Sequence, residues 1–359
     1  MSYSKDLPFN NLPLLPPDPT IWESVEVYKK LTEARAALAE LKGRLPIIPN
    51  PLMLINTLVL QEAKDSSTIE NIVTTSDKIY KAFSSPKAND EPATKEVLRY
   101  REVMWNSFNT LKDTKDISDE MIITIFRALT ERDERWRDTQ VWVKSPYATV
   151  YTPPEPGAVL DTKIRNWLDV AHADRRYDPL ITMALLHYQF EAIHPFTDGN
   201  GRTGRILNIL YLCKEHLLDL PVLYLSKYIL EFKSEYYRLL TDVTEHANWK
   251  EWIFFMLEGV KQTSVFTLSK VNAIYAEFQR VMDLLKKDAS DIYSHELIEI
   301  LFSQPYCKIS ILEEKNIASR NTASKYLRRL EELGILEAEP GGRENLYKNK
   351  ELYRILSKG

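Results

Sequence analysis

The chain has 359 residues, 44% hydrophobic and 27% charged, which is ordinary for a globular protein and long enough for two or three cores. A net charge of −4 gives no overall pull toward nucleic acid or an anionic membrane, so contact with either would need a local patch. Cys213 and Cys307 form neither a metal-ligand spacing nor a disulfide framework, the N-terminus lacks a secretory pattern, and no run of about 18 apolar residues occurs, so a cytoplasmic protein without membrane contact is expected.

Helical periodicity dominates the chain. Residues 12–19 are proline-rich and predict an extended arm. Residues 23–41 place Val25, Tyr28, Leu31, Ala34, Ala37, Leu38 and Leu41 on one stripe, with Gly43 positioned to end the helix. An apolar segment follows at 52–63. Next comes Asp65-Ser66-Ser67-Thr68-Ile69-Glu70-Asn71, in which Ser67 precedes Glu70 by the spacing of a capping box at a helix start. Residues 93–111, 118–130, 158–173 and 179–193 predict further helices, the last with Asp178 as its cap and Pro179 in its first turn. Residues 222–240 and 249–268 continue the pattern, and there is no internal repeat.

Residues 139–154 depart from it. Thr-Gln-Val-Trp-Val-Lys-Ser-Pro-Tyr-Ala-Thr-Val-Tyr-Thr-Pro-Pro is β-branched and aromatic around Ser145-Pro146, which predicts a two-stranded hairpin. An isolated hairpin is marginal, so it must lean on the helices, either as a structural clasp or as a docking edge.

The most informative stretch is His194-Pro-Phe-Thr-Asp198-Gly199-Asn200-Gly201-Arg202-Thr-Gly-Arg205. Gly199 and Gly201 let the backbone turn tightly and approach an anion. The apolar run Ile206, Leu207, Ile209, Leu210, Leu212 predicts that this turn opens a helix whose N-terminus attracts negative charge. Arg202 and Arg205 can fork onto phosphate oxygens, Asp198 offers hard oxygen to Mg2+, and His194 is a candidate base. The Walker phosphate loop is excluded, because no Lys followed by Ser or Thr comes after the second glycine.

The stretch resembles the signature of the Fic family, His-x-Phe-x-(Asp/Glu)-Gly-Asn-Gly-Arg-x-x-Arg, with every fixed position filled. The resemblance implies a mostly α fold, a Fic-type helical core with a small β-hairpin flap, and transfer of AMP from ATP to a Ser, Thr or Tyr hydroxyl of a target protein. Relatives that phosphorylate instead alter the Gly-Asn-Gly-Arg segment, which is intact here. By resemblance His194 is the general base, Phe196 packs to hold the loop, and Asp198 binds Mg2+. The Gly199-Asn200-Gly201 backbone and the Asn200 side chain form an anion hole, Arg202 grips the β- and γ-phosphates, and Arg205 takes the γ-phosphate. The hairpin corresponds to a flap, residues 141–150, on which a target strand docks; Val143 covers the adenine, with Tyr237 and Leu240 on its other side. Ser66-x-x-x-Glu70-Asn71 resembles the family's inhibitory helix, (Ser/Thr)-x-x-x-Glu-(Gly/Asn), and residues 48–52 and Glu62-Ala63 resemble its N-terminal region. This implies that Glu70 pairs bidentately with Arg205 and occupies the γ-phosphate's place.

From residue 293 the order helix (294–302), helix (309–315), helix (319–334) and a hairpin turning at Pro340-Gly341-Gly342 resembles a winged helix-turn-helix domain. Arg320, Lys325, Arg328 and Arg329 could face DNA phosphates, but Glu331, Glu332, Glu337, Glu339 and Glu344 offset them. A protein-docking or homodimer role is therefore preferred to DNA binding for 290–359. The expected organisation is an N-terminal helical region with the inhibitory helix (1–90), a catalytic core (91–285) and the winged unit (290–359). A hydrolase that removes AMP at the same site, or a DNA-binding regulator with a vestigial core, are the alternatives.

Overall fold

A computed structural model describes residues 3–84, 91–145, 147–173, 176–340 and 344–357. The proline-rich arm is irregular and buries Leu12 and Leu15. It leads to α1 (Val25–Arg44), capped by Ser24, whose buried stripe is Val27, Leu31, Ala34, Leu38 and Leu41. Gly43 does not stop this helix: a glycine in the last turn costs about 1 kcal/mol, and α1 runs to Arg44 before Leu45 and Pro46 end it. The 52–63 segment divides into α2 (Pro51–Ile55) and α3 (Leu58–Ile69), because Thr57 Oγ1 donates back to Met53 O (2.5 Å). The helix α4 (Ser76–Ser84) lies in sequence that gave no expectation.

The next elements are α5 (Pro92–Thr114), α6 (Asp119–Thr130), strands β1 (Val143–Lys144) and β2 (Thr149–Tyr151), and α7 (Ala158–Ala173). Two more helices carry the glycine loop between them: α8 (Pro179–Ile193), capped by Asp178, and α9 (Asn200–Lys214). Both are buried nearly all round, which makes them the axis of the core. The expected helix over 222–240 is two, α10 (Leu225–Glu231) and α11 (Lys233–His246), broken at Phe232; α10 packs on α3 and on α12 (Trp249–Asp288), and α11 on α12. This last helix has 40 residues, about 60 Å of rise, and outruns the expected 249–268. Its second half stays helical because Val271, Ile274, Phe278, Val281 and Leu285 are buried.

The C-terminal unit comprises α13 (His295–Ser303), β3 (Tyr306–Cys307), α14 (Ile309–Glu314), α15 (Arg320–Glu332), β4 (Leu336–Glu339), β5 (Leu346–Asn349) and α16 (Lys350–Ser357). Its antiparallel sheet has the order β3-β5-β4, so the hairpin wing gains a strand from between the first two helices. Gly341 and Gly342 of the expected wing turn lie outside the described residues, as does Pro146 at the flap tip. Among the described residues no helix is long and apolar enough to cross a membrane.

Candidate active site

The site forms where α8 ends, α9 begins and the C-terminal end of α3 meets them. The last residue of α8 hands over to His194 in the left-handed region (φ 50°, ψ 61°), with its N–H still bonded to Phe190 O (3.0 Å). That turn is sharp enough to send Pro195 and Phe196 back under the loop. Phe196 is fully buried and stacks on Phe126 at 3.9 Å, with Trp136 at 5.2 Å, as its place in the motif implied. Gly199 is the N-cap of α9 at φ 69°, and Asn200, Gly201 and Arg202 precede the first intrahelical bond, Thr203 N–H to Gly199 O (3.0 Å). Their N–H groups are the positive end of a helix aimed at the mouth of the site.

The Asn200 side chain, expected to line an anion hole, also braces the loop. Its Nδ2 donates to Phe196 O and its Oδ1 accepts from Phe196 N–H, both at 2.9 Å. A buried amide bonded at both ends holds the loop shut; it uses one of the two Nδ2 hydrogens, and the second, with the main-chain N–H groups at the start of α9, remains as a donor.

Glu70 sits in that mouth. Its Oε1 accepts from Arg205 Nη2 at 2.7 Å, and Arg205 is further held by Ser66, through Nε to Oγ (2.8 Å) and Nη2 to the main-chain oxygen (3.0 Å). The pair is therefore single-pronged, and the second prong of the guanidinium lies on Ser66; the bidentate contact expected from the motif is not formed. Gly201 faces the same spot: a methyl group there would collide with Glu70 Oε1 and lie 2.9 Å from Arg205 Nη1. Burial pushes the Glu70 carboxyl up, but the charge and hydrogen bond of Arg205 outweigh it and hold the group below its usual range.

The local geometry of Glu70 also corrects the capping-box reading. Ser67 and Glu70 lie at the C-terminal end of α3, where Glu70 is the C-cap. Asn71 N–H bonds Thr68 O and Ile72 N–H bonds Ser67 O, both at 3.0 Å, with Asn71 at φ 65°; this is a Schellman ending. Asn and Gly are the residues that adopt the left-handed conformation at least cost, which accounts for the residue type after the glutamate. Helix α3 is fixed to α10 by buried carboxylates: Glu62 accepts from the Ser226 N–H (2.9 Å) and hydroxyl, and Asp65 accepts from the Tyr224 hydroxyl.

His194 is half-buried, and the loss of water around the ring pushes its pKa down to about 4. Its Nδ1 lies 3.3 Å from Glu191 O. A carbonyl only accepts, so Nδ1 carries the proton and the Nε2 lone pair is the free one. Asp198 is exposed; Oδ1 accepts from Gly199 N–H (2.7 Å) and Oδ2 lies 3.7 Å from Arg132 Nη2. Among the described residues no cluster of three or more His, Cys, Asp or Glu could hold a metal ion by itself. One accessible carboxylate beside a phosphate-type cradle still fits Mg2+, which takes one or two protein carboxylates and draws its other oxygens from phosphates and water. Arg202 is buried and ion-paired with Glu96 of α5.

Of the three expected adenine contacts, Tyr237 lies on α11 and its hydroxyl pKa is raised first by burial and then by the Glu70 charge. Leu240 is partly buried against the core, and Val143 stands opposite Tyr151 in the hairpin. The sequence reading missed Glu96, the bonds of Glu62 and Asp65 to α10, and Glu191, whose carboxyl burial pushes up to about 7 beside Arg205. It also missed Arg137, considered below. These lie on helices and loops whose patterns give no hint of which face meets the site.

Residues 28–109 match the Fic/DOC family N-terminal model, 108–212 the Fic/DOC family model, and 278–352 the model described as "Protein adenylyltransferase SoFic-like, C-terminal domain". A protein adenylyltransferase Fic of Drosophila virilis is 35% identical over 119 residues, 33% of this chain and 23% of that protein. One of Culex quinquefasciatus is 28% identical over 160 residues, 44% of this chain and 29% of the relative. The chain thus spans under a third of the length of either relative. A Fic family protein from Desulfovibrio desulfuricans G20 shares the fold, with a TM-score of 0.56 at 19% identity over 89% of this chain and 95% of that one. With the two Fic/DOC models running without a break from residue 28 to residue 212, over more than half the chain, and the signature folded into a glycine loop at a helix N-terminus, this chain belongs to the Fic/DOC family.

Proposed function

We propose that the chain is a protein adenylyltransferase, moving AMP from ATP to a hydroxyl of a target protein or of itself, and that Glu70 holds it silent. The observation that carries this reading is the Glu70 carboxylate seated on Arg205 above Gly201, where a terminal phosphate would otherwise meet the helix N-terminus. A carboxylate and a phosphate compete for one guanidinium and one set of N–H groups. The comparatively long relatives named as adenylyltransferases and the unaltered Gly199-Asn200-Gly201-Arg202 segment support AMP as the transferred group.

In the productive arrangement Glu70 swings away and Arg205, still oriented by Ser66, holds the γ-phosphate. Arg202 trades Glu96 for the β- and γ-phosphate oxygens. The N–H groups at the start of α9 stabilise charge on the phosphate oxygens. His194 Nε2 takes the proton of the incoming hydroxyl as its oxygen attacks the α-phosphorus, and pyrophosphate leaves toward the arginines. Asp198 would hold Mg2+, whose charge neutralises the phosphates. The target is presented by the flap, and Tyr237 and Leu240 border the base.

The test is incorporation of labelled AMP by wild type, Glu70→Gly and Glu70→Gly with His194→Ala, each with ATP and Mg2+. The expected order is low, high and absent, with the base worth at least about 100-fold. Most substitutions lower activity, so a gain is diagnostic. A folded Glu70→Gly protein that binds ATP and gains nothing over wild type ends the self-inhibition reading.

A further inference from the structure

We propose that Arg137 is a positioning residue which couples His194 to the flap, so that target docking and base placement are set by one guanidinium. Arg137 is 3% exposed and lies in the loop between α6 and β1, outside the signature. Its Nε donates to His194 O at 2.8 Å and its Nη2 to Ile193 O at 3.5 Å. The same Nη2 donates to Pro154 O and Nη1 to Thr139 O (3.3 Å), while Arg137 N–H bonds Pro195 O (2.9 Å). The fork therefore grips the end of α8 on one side and both stems of the hairpin on the other.

Physical reasons make this more than a packing contact. The final carbonyls of α8 have no partner within the helix, and a cation there meets the negative end of the dipole. Tyr151, on β2, donates its hydroxyl to Ala192 O at 2.8 Å, so the carbonyls of residues 192, 193 and 194 are all held, the first by a flap side chain and the other two by Arg137. His194 is held in a left-handed conformation that a histidine adopts only when its surroundings impose it. The ring direction follows from that backbone. A lysine, with a single point of charge, can satisfy the end of the helix but cannot span to Thr139 and Pro154 as well.

The inference rests on the adenylyltransferase reading for its kinetic arm, and a spectroscopic arm stands apart from it. In the full chain carrying Glu70→Gly, Arg137→Lys and Arg137→Gln are compared for ATP affinity by calorimetry, for kcat of AMP transfer, and for the His194 ring resonances in histidine-labelled protein. Expected are ATP affinity within about twofold, a kcat reduced at least tenfold in both variants, and His194 resonances that move in both. Tyr151→Phe, which removes one hydroxyl, should move the same resonances and lower kcat by a smaller factor. Unmoved His194 resonances in folded Arg137→Gln would overturn the proposal, and so would full recovery of kcat by lysine. An inactive Glu70→Gly parent speaks against the adenylyltransferase reading alone, because the resonances still report on Arg137.

Discussion

Glu70 and His194 share a surface, yet their environments push their protonation in a way that makes both insensitive to ordinary pH. Arg205 holds the Glu70 carboxyl below its usual value despite burial, so the ion pair is complete above the ordinary carboxylate range of about 4.3 and is lost only as pH falls through the lowered value. His194, pushed down to about 4 by burial, stays neutral over the same interval. The ratio of wild-type to Glu70→Gly transfer should thus be flat from pH 8 to pH 6. A wild-type rate climbing relative to the variant as the pH drops would show that protonation of Glu70 releases the site, contrary to this account. Release must then come from moving the carboxylate, by contact or by competition, rather than from titrating it.

At the level of elements, the placement of Glu70 depends on how α3 stops. The Schellman ending turns the chain at Asn71 and leaves the Glu70 side chain pointing back over Gly201. Asn71→Gly should keep that ending and the silent state. Asn71→Val must pay about 1–2 kcal/mol to enter the left-handed region, and should lower the melting temperature and raise AMP transfer together. Transfer in Asn71→Val equal to wild type, with the melting point lowered, would separate the helix ending from inhibition. The long helix α12 is a second case, since its early turns serve the core and its later turns are buried by α16 and α13.

Across the whole molecule, the C-terminal unit is built onto the rest. Gln61 of α3 donates to Leu356 O, Lys270 of α12 to Ile355 O, and Ser84 of α4 to Tyr306 O (3.0 Å). The Tyr306 hydroxyl donates to Asp77 (2.6 Å), and Lys81 pairs with Glu339 (2.8 Å). All but the Lys270 contact fall on α3 and α4, the helices immediately before and after the Glu70 turn. A chain ending at residue 290 would bare Phe278, Val281 and Leu285, and should melt at least about 5 °C lower than the full chain. An unchanged melting temperature would show that the unit is only tethered. In α15, Arg320 pairs with Glu313 and Arg329 with Glu332, and on that partial neutralisation we propose a protein rather than a DNA partner for that face.

The sequence by itself determined the pieces whose information is local. Helix 179–193 is legible because a cap, a proline and an apolar period coincide, helix 158–173 by its apolar period, and the glycine loop because its residue types are rare in combination. Gly199, Phe196 and Asn71 have roles fixed by backbone geometry that few other residues satisfy. Only the tertiary structure decided what depends on which face meets which. Ser67 and Glu70 have capping-box spacing, but packing of α3 on α5 and α10 puts them at the end of a helix instead of its start. That Asn200 also braces the loop, its amide bonded at both ends to Phe196, is visible only once the loop has folded. Arg137 and Glu96 are ordinary charged residues in one dimension. They acquire meaning because burial removes water, and a charge without water must find the nearest carbonyl or counter-charge, wherever in the chain that comes from.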